Sequence, residues 1–512
     1  MLIKIILLIL FFGCMIAVGL YARKSANSMT DFVLGGRSVG PWLSAFAYGT
    51  SYFSAVVFVG YAGQFGWKYG LASTWIGLGN AVIGSLLAWV AMGRRTRVMT
   101  HHLEVATMPD FFGRRYDSNV LRIVASAIAF VFMIPYTASV YNGLSRLFGM
   151  AFDIPYTVCV VTMAVLTGVY VILGGYMATA INDFIQGVIM LFGIVAVIAA
   201  VLSGQGGFIE AVRKLSELQS DVPVTLGQQG AFASFFGTDP LNLLGVIILT
   251  SLGTWGLPQM VHKFYAIKSE KAIKTGTIVS TFFAVIVSGG CYFLGGFGRL
   301  FDSQALYKAD GSVMYDAIVP AMLSTLPDIL IGVVIILVLS ASMSTLSSLV
   351  LTSASTLTLD FIKGNIVKDM DDKKQLMYIR VLIVFFIVIS VVLALNPPTF
   401  IAQLMGVSWG ALAGAFLAPF LYGLYWKGVT KAGVWASFIC GVGITVSNMF
   451  FKFIASPINA GAAAMIVGLI VTPLVSLITP KIDSAFVDKI FKCYDNTAKV
   501  SSREYLKEEE NS

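Results

Sequence analysis

The sequence predicts an all-α integral membrane protein with thirteen transmembrane helices, ten of which form two matched blocks of five. Its 512 residues are 57% hydrophobic and only 12% charged, with a mean hydropathy of +0.84. Apolar stretches of about 20 residues, the length that a helix needs to cross a bilayer, recur along the chain. Two of these stretches are interrupted at corresponding places. The composition excludes most soluble enzymes and all nucleic-acid binders.

Thirteen stretches are long and apolar enough to span a membrane, and we label them α1 to α13. They lie at about 2–22, 42–64, 71–92, 119–148, 154–174, 179–203, 240–262, 275–297, 328–358, 377–396, 400–425, 432–453 and 460–479. The first stretch is predicted to be a helix rather than a secretory signal, because no cleavage site follows it before Arg23 and Lys24.

The spans form one predicted transmembrane domain over 1–480. The extra N-terminal helix at 2–22 precedes the two repeats, which occupy about 41–204 and 238–426, and α12 and α13 follow at 432–479. With the N-terminus outside, 26 of the 34 Lys and Arg residues fall on the cytoplasmic side. Cytoplasmic loops carry this excess of positive charge. The chain is therefore predicted to be a multi-pass plasma-membrane protein with a short cytoplasmic tail at 481–512.

The two interrupted spans open the two blocks. In α2 the run Gly49–Ser54 is rich in small and hydroxylated residues, and in α7 the run Ser251–Pro258 combines glycines with a proline. Transporters built from inverted repeats break their first helices near the bilayer midplane, where freed backbone groups bind substrate and ion. The alternative is that Gly and Pro serve only close packing and tolerated kinks.

A hydroxyl-rich face on α9 supplies a second indication of ion binding. Ala341, Ser344, Thr345 and Ser348 recur at helical spacing, so one face presents three hydroxyls. Hydroxyl and carbonyl oxygens are ligands that suit a hard monovalent cation. The alternative is that these side chains bond the carbonyls of their own helix and let neighbouring helices approach.

Asp183, at the predicted start of α6, is the main ionisable residue that we find within the spans, and no Arg or Lys is evident in α2 or α7. It either caps its helix or attracts a cation that leaves towards the cytoplasm. The three histidines lie at the inner boundary, and the five cysteines are scattered singly. No catalytic constellation or metal cluster can be assembled, so we expect no enzyme. A channel filter is also absent, and a transporter-like sensor remains the alternative outside transport.

Five motifs in this order resemble the sodium:solute symporter family over the whole set of spans. They are Gly-Gly-Arg37 before α2, Tyr52-x-Ser54-Ala55-x-x-Phe58-x-Gly60 in α2, Asn182-Asp183-x-x-Gln186-Gly187 in α6, Gly256-Leu257-Pro258 in α7, and Ala341-x-Met343-Ser344-Thr345 in α9. The resemblance implies the five-plus-five inverted-repeat fold first seen in a leucine transporter.

The resemblance also implies a sodium site between α2 and α9. By position, the carbonyls of Thr50, Phe53 and Ala341 and the hydroxyls of Ser344 and Thr345 would bind the ion. It further implies that Asp183 lies on the cytoplasmic sodium route. Sodium is then the coupling ion, and no other cofactor is expected.

The sequence indicates the chemical class of the solute less specifically than the identity of the coupling ion. Proline carriers of the family have Asp where Tyr52 stands and aromatic residues where Thr250 and Thr254 stand, so the resemblance favours the pantothenate and monocarboxylate branch. A proline or other amino-acid symporter remains the alternative, and the oligomeric state is left open. Five side chains are predicted to surround the solute, although each has an alternative role in packing: Ser54, Tyr136, Thr254, Trp255 and Gln259.

Overall fold

A computed structural model describes residues 2–25, 28–152, 155–220, 230–363, 365–367, 370–396 and 401–495. This part of the chain is helical, and its only β pairings are isolated bridges. Ten helices within it are long and apolar enough to cross a membrane, or eleven when the bent pair Pro240–Gly256 and Pro258–Tyr265 is counted as one span. The all-helical membrane architecture is therefore confirmed, at a lower helix count than thirteen.

Every predicted span overlaps a helix. The observed bounds are Leu2–Ala22 for α1, Pro41–Tyr52, Val56–Tyr61 and Ala62–Tyr69 for α2, Thr74–Gly79, Asn80–Leu87, Trp89–Gly93 and Arg94–His102 for α3, Asn119–Phe152 for α4, Tyr156–Gly204 for α5 and α6 together, Pro240–Gly256 and Pro258–Tyr265 for α7, Glu270–Gly295 for α8, Asp328–Thr356 for α9, Asp372–Leu395 for α10, Ile401–Tyr425 for α11, Lys431–Phe451 for α12 and Pro457–Ile478 for α13.

Two glycines explain why the count is lower than the prediction. The second half of α2 and α3 run on as one stretch of 47 residues, and α5 and α6 as one of 49 residues. Each stretch contains a glycine with positive φ, Gly70 (φ 60°) in the first and Gly175 (φ 55°) in the second. Residues that carry a Cβ rarely adopt this backbone conformation. A Cβ at Gly70 would also lie 2.0 Å from the carbonyl oxygen of Phe232.

Burial separates the inner helices from the outer ones. The apolar window of α11 is 94% buried and that of α9 is 78% buried, whereas only 22% of the α1 window is buried. The helix α9, which carries the predicted ion face, therefore lies inside the bundle. In the tail, residues 484–495 form a helix, and the guanidinium of Arg95 stacks on the rings of Tyr494 and Tyr425. Residues 496–512 of the predicted tail lie outside the described part of the chain.

Candidate functional site

The helix α2 is interrupted for three residues inside the bundle. Its first half ends at Tyr52 and its second half begins at Val56. Phe53 has extended backbone angles (φ −110°, ψ 107°), and the hydroxyl of Ser54 accepts a hydrogen bond from the amide of Val56 at 3.2 Å. The last carbonyls of a helix have no donor within the helix. At this end those carbonyls can bind groups from other elements.

Two hydroxyls of α9 reach these carbonyls. Ser344 Oγ donates to the carbonyl oxygen of Thr50 at 2.9 Å, and Thr345 Oγ1 lies 3.5 Å from the same oxygen. Each hydroxyl also lies 3.1 Å from the carbonyl oxygen of Ala341. Four of the five predicted sodium ligands thus meet, and we call this group the ion cluster. The fifth, Phe53, lies in the break itself.

A buried ion pair lies beside the ion cluster. The carboxylate of Asp183 is fully buried, with Oδ2 at 3.6 Å from Nζ of Lys263. The side chain of Lys263 is 2% exposed, and its Nζ donates to Ser348 Oγ at 2.9 Å. The expectation that α2 and α7 contain no buried lysine is therefore wrong. The reason is that α7 continues to Tyr265, so Lys263 belongs to the helix and not to the following loop.

The position of Asp183 also excludes a capping role. The helix Tyr156–Gly204 is kinked at Gly175, and Asp183 lies well after that kink within continuous helix. An amide there bonds to the carbonyl four residues earlier and has no need of a side-chain acceptor. Whether sodium passes Asp183 stays a prediction.

Three buried side chains near the helix breaks have polar atoms without a hydrogen bond of normal geometry. Two of them are predicted solute contacts, and the third packs against one of these. The hydroxyl of Tyr136, the indole nitrogen of Trp409 and both amide atoms of Gln259 are buried without a hydrogen bond in the described part of the chain. The rings of Tyr136 and Trp409 meet edge to face at 5.8 Å, and the hydroxyl of Tyr136 faces the indole of Trp409 and the hydroxyl of Ser54 without forming a hydrogen bond of normal geometry with either. Unpaired buried polar groups are costly, so such groups call for a ligand or water.

The other two predicted solute contacts, Thr254 and Trp255, form hydrogen bonds with backbone carbonyls of α3. The hydroxyl of Thr254 lies 3.1 Å from the carbonyl oxygen of Gly84 and 3.0 Å from that of Ser251 in its own helix. The indole of Trp255 donates to the carbonyl oxygen of Ile83 at 3.0 Å. Both acceptors on α3 lie in the π-helical segment Asn80–Leu87, a helix type common at functional sites. In this structure, the polar atoms of Thr254 and Trp255 thus join α3 to α7.

The predicted cytoplasmic ends of three helices are tied together by Arg37. Its guanidinium donates to the carbonyl oxygens of Val105 at 2.6 Å, Thr100 at 3.4 Å and Tyr265 at 3.4 Å. Burial lowers the pKa of Arg37, although this pKa starts high enough that the group keeps its charge. The loop before α2 is therefore held against the ends of α3 and α7.

The sequence profile of the sodium:solute symporter family matches residues 32–441. The chain belongs to the sodium:solute symporter family. A sodium/proline symporter of Staphylococcus aureus (strain JH9) is 30% identical over 509 residues, which cover 94% of each chain, and a protein of the same name in strain COL matches equally. The resemblance seen in the motifs is confirmed. This family member is a sodium-coupled membrane symporter and not an enzyme.

Solved structures similar to this symporter support its fold. A sodium-coupled sialic acid symporter in a substrate-bound, outward-open state has a TM-score of 0.76 at 17% identity, covering 94% of this chain and 98% of the other. A nucleobase-cation-symport-1 family transporter has a TM-score of 0.55 at 12% identity, covering 91% and 98%. At these identities the likeness concerns the fold alone, which is that of the leucine transporter.

Sequence analysis missed two residues of this site. Lys263 comes five residues after Pro258, and several lysines follow it. The sequence therefore indicated that Lys263 belongs to the loop after α7. A helical reading from Pro258 would have placed Lys263 one turn after Gln259, on the same side of the helix. Trp409 gave no signal, since nothing in an apolar span indicates that one tryptophan lies beside Tyr136 on another helix.

Proposed function

We propose that this symporter imports a small organic acid, of the monocarboxylate or pantothenate-like kind, together with sodium by alternating access. The observation that carries the proposal is the ion cluster between the α2 break and α9. Its two carbonyl oxygens and two hydroxyl oxygens suit a hard monovalent cation. In the proposal Thr50, Ala341, Ser344 and Thr345 bind sodium, and Phe53 adds a carbonyl from the break.

A carboxylate fits the polar groups near the two helix breaks. The phenol of Tyr136, the indole of Trp409 and the amide of Gln259 can each donate a hydrogen bond to it. Sodium bound at the ion cluster would offset its charge, so an anion needs no basic side chain of its own. Ser54 lies at the start of the second half of α2, where a helix N-terminus favours an anion. Thr254 and Trp255 would join these contacts only if α3 and α7 separate.

The residue at position 52 favours an acid over a zwitterion. The resemblance places Asp at this position in proline carriers, where a carboxylate suits the charge of an ammonium group. Here Tyr52 stands instead, and its hydroxyl donates to the carbonyl of Thr250. The second candidate is proline or another amino acid, and it is favoured by the relatives named sodium/proline symporter.

Sodium-driven uptake into proteoliposomes, with and without an inside-negative potential, tests the proposal. A potential of about 100 mV is worth about 2.3 kcal/mol per charge, and a tenfold sodium gradient adds about 1.4 kcal/mol. One sodium with a monoanion carries no net charge and supports about tenfold accumulation. One sodium with a zwitterion supports about 500-fold.

Uptake of an organic acid that needs sodium and ignores the potential is the expected result. Stimulation of proline uptake by the potential would favour the second candidate instead. Sodium-dependent binding without uptake would identify a sensor. Uptake that is equal in sodium and potassium would contradict sodium coupling altogether.

The proposal includes thirteen spans in inverted five-plus-five repeats, with the N-terminus outside and the C-terminus in the cytoplasm. It divides the two long helical stretches at Gly70 and Gly175, where positive φ interrupts each helix. This division restores the alternation that places most Lys and Arg residues on one side. The plasma membrane is the proposed location.

Single cysteines in a cysteine-free background test this topology. We expect an impermeant thiol reagent to label a cysteine at Glu217 in whole cells and to spare those at His102 and Lys373. All three side chains are exposed in the structure, so protection would report the side of the membrane and not burial. Labelling at His102 or Lys373 in sealed cells would contradict the orientation.

A further inference from the structure

One lysine joins three helices beside the ion cluster. Lys263 lies on the second half of α7, and its Nζ is 2.9 Å from Ser348 Oγ on α9 and 3.6 Å from Asp183 Oδ2 on α6. The same ammonium lies 5.2 Å from the ring centroid of Tyr176. An oppositely charged carboxylate, a hydroxyl and an aromatic face are the surroundings that a buried cation requires.

A short path connects this ammonium with the ion cluster. Ser348 Oγ lies 2.7 Å from Ser51 Oγ, and the carbonyl oxygen of Ser51 is 3.3 Å from Thr345 Oγ1. Two serines therefore separate Lys263 from a proposed sodium ligand. In the proposed orientation this ammonium lies on the cytoplasmic side of the ion cluster, where sodium would leave.

The groups around the ammonium are those that would otherwise bind a metal cation. Neither carboxylate oxygen of Asp183 has a hydrogen bond within the described ranges, so the charge of Lys263 is what compensates the carboxylate. The hydroxyl of Ser348 lies 2.9 Å from the ammonium, and the hydroxyl of Ser51 lies 2.7 Å from that of Ser348. A carboxylate with two hydroxyls offers oxygen ligands to sodium as good as those of the ion cluster.

We infer that Lys263 is a built-in cation that takes the place of a second sodium ion at Asp183, so that the symporter binds one sodium ion. The inference deepens the proposed function and rests on it. Lys263 lies beyond the bend of 45° between the halves of α7, so a movement of that half away from α6 would separate its ammonium from Asp183. The carboxylate then becomes accessible to the leaving sodium.

Binding of radioactive sodium to the purified full chain in nanodiscs tests the inference without a known solute. We expect the wild type to bind one sodium ion and Lys263→Gln to bind two, with the Hill coefficient rising from about 1 towards 2. Lys271→Gln is the matched control, because this lysine is exposed in the first turn of α8. It should bind sodium as the wild type does.

The outcomes separate the inference from the proposed function. A wild type that binds no sodium would contradict the proposed function. A wild type that binds one ion, with Lys263→Gln also binding one, would overturn only the inference. Two ions bound to the wild type would overturn it as well.

Loss of the lysine leaves a buried carboxylate unpaired, so Lys263→Gln alone could fail to fold. The double variant Lys263→Gln/Asp183→Asn removes both charges and covers that case. Recovery of folding with one sodium ion bound supports the inference, since the carboxylate that would hold a second ion is gone. Two ions bound to the double variant, or no recovery of folding, would overturn it.

Discussion

The ion cluster and the surroundings of Tyr136 differ in how their polar atoms are satisfied. In the ion cluster, hydroxyls of α9 and carbonyls of α2 and α9 are already within 2.9 to 3.5 Å of one another. Near the two helix breaks, the polar atoms of Tyr136, Trp409 and Gln259 form no hydrogen bond of normal geometry in the described residues. In the first region the polar atoms are therefore paired with one another, whereas the second has donors that a solute or water can still engage.

The largest expected effect concerns the ion cluster. Ser344→Ala and Thr345→Ala should each lower the apparent sodium affinity about 5-fold to 100-fold, because each removes one oxygen ligand worth about 1 to 3 kcal/mol. The double variant should lower the apparent sodium affinity more than either single variant does. Sodium activation of uptake, measured at saturating solute, reports this change.

Ser342→Ala is the control on the same helix. Ser342 is equally buried, but its hydroxyl donates to the carbonyl oxygen of Val338 within α9 at 2.7 Å. Its loss should leave sodium activation within about 2-fold of the wild type. Equal effects of Ser342→Ala and Ser344→Ala would show that the ion cluster is no more than helix packing.

The next effect concerns Tyr136. Removing its unpaired hydroxyl in Tyr136→Phe should raise the half-saturating solute concentration about 5-fold to 30-fold, the loss of a hydrogen bond worth about 1 to 2 kcal/mol. Sodium binding in the absence of solute should stay unchanged. A shift in sodium binding without a shift in solute affinity would remove the distinction between the two regions.

A smaller effect is expected at Gln259, with opposite signs in two measurements. Gln259→Met removes a buried amide that has no partner, so the thermal stability without solute should rise. Solute affinity should fall about 3-fold to 10-fold, because a donor to the solute is lost. A fall in both quantities would mean that the amide is already satisfied within the protein.

The ion cluster was predicted partly from local geometry, and its pairing of α2 with α9 came from the family resemblance. The spacing of Ala341, Ser344 and Thr345 places them on one face of α9, and the glycine and hydroxyl residues around Thr50 indicate where α2 breaks. Both features are properties of single helices, and the helix period determines which side chains share a face. The structure then brings these two elements within hydrogen-bonding distance.

The remaining features depend on contacts between helices, which no helix encodes alone. Lys263 pairs with Asp183 across 80 positions of the sequence, and the partners of Thr254 and Trp255 lie on α3, about 170 residues earlier. The observed helix count differs from the predicted one for a reason that lies within single helical stretches and not between helices. Gly70 and Gly175 continue long helical stretches through a local kink, and a glycine in an apolar span does not reveal whether it ends a helix.

The smallest effect is expected at Trp255, and it distinguishes a solute contact from a packing contact. The indole nitrogen already donates to the carbonyl oxygen of Ile83, and only 9% of the residue is exposed. Trp255→Phe should therefore change solute affinity by less than about 2-fold while lowering stability by about 1 kcal/mol, the usual contribution of one hydrogen bond. Thermal unfolding and uptake measured on the same preparation check both values. A loss of solute affinity as large as that of Tyr136→Phe, with stability unchanged, would instead mean that α3 releases Trp255 when the solute binds. The comparison between the two regions would then hold only for the conformation described here, because a group bound by the protein would become a ligand of the solute.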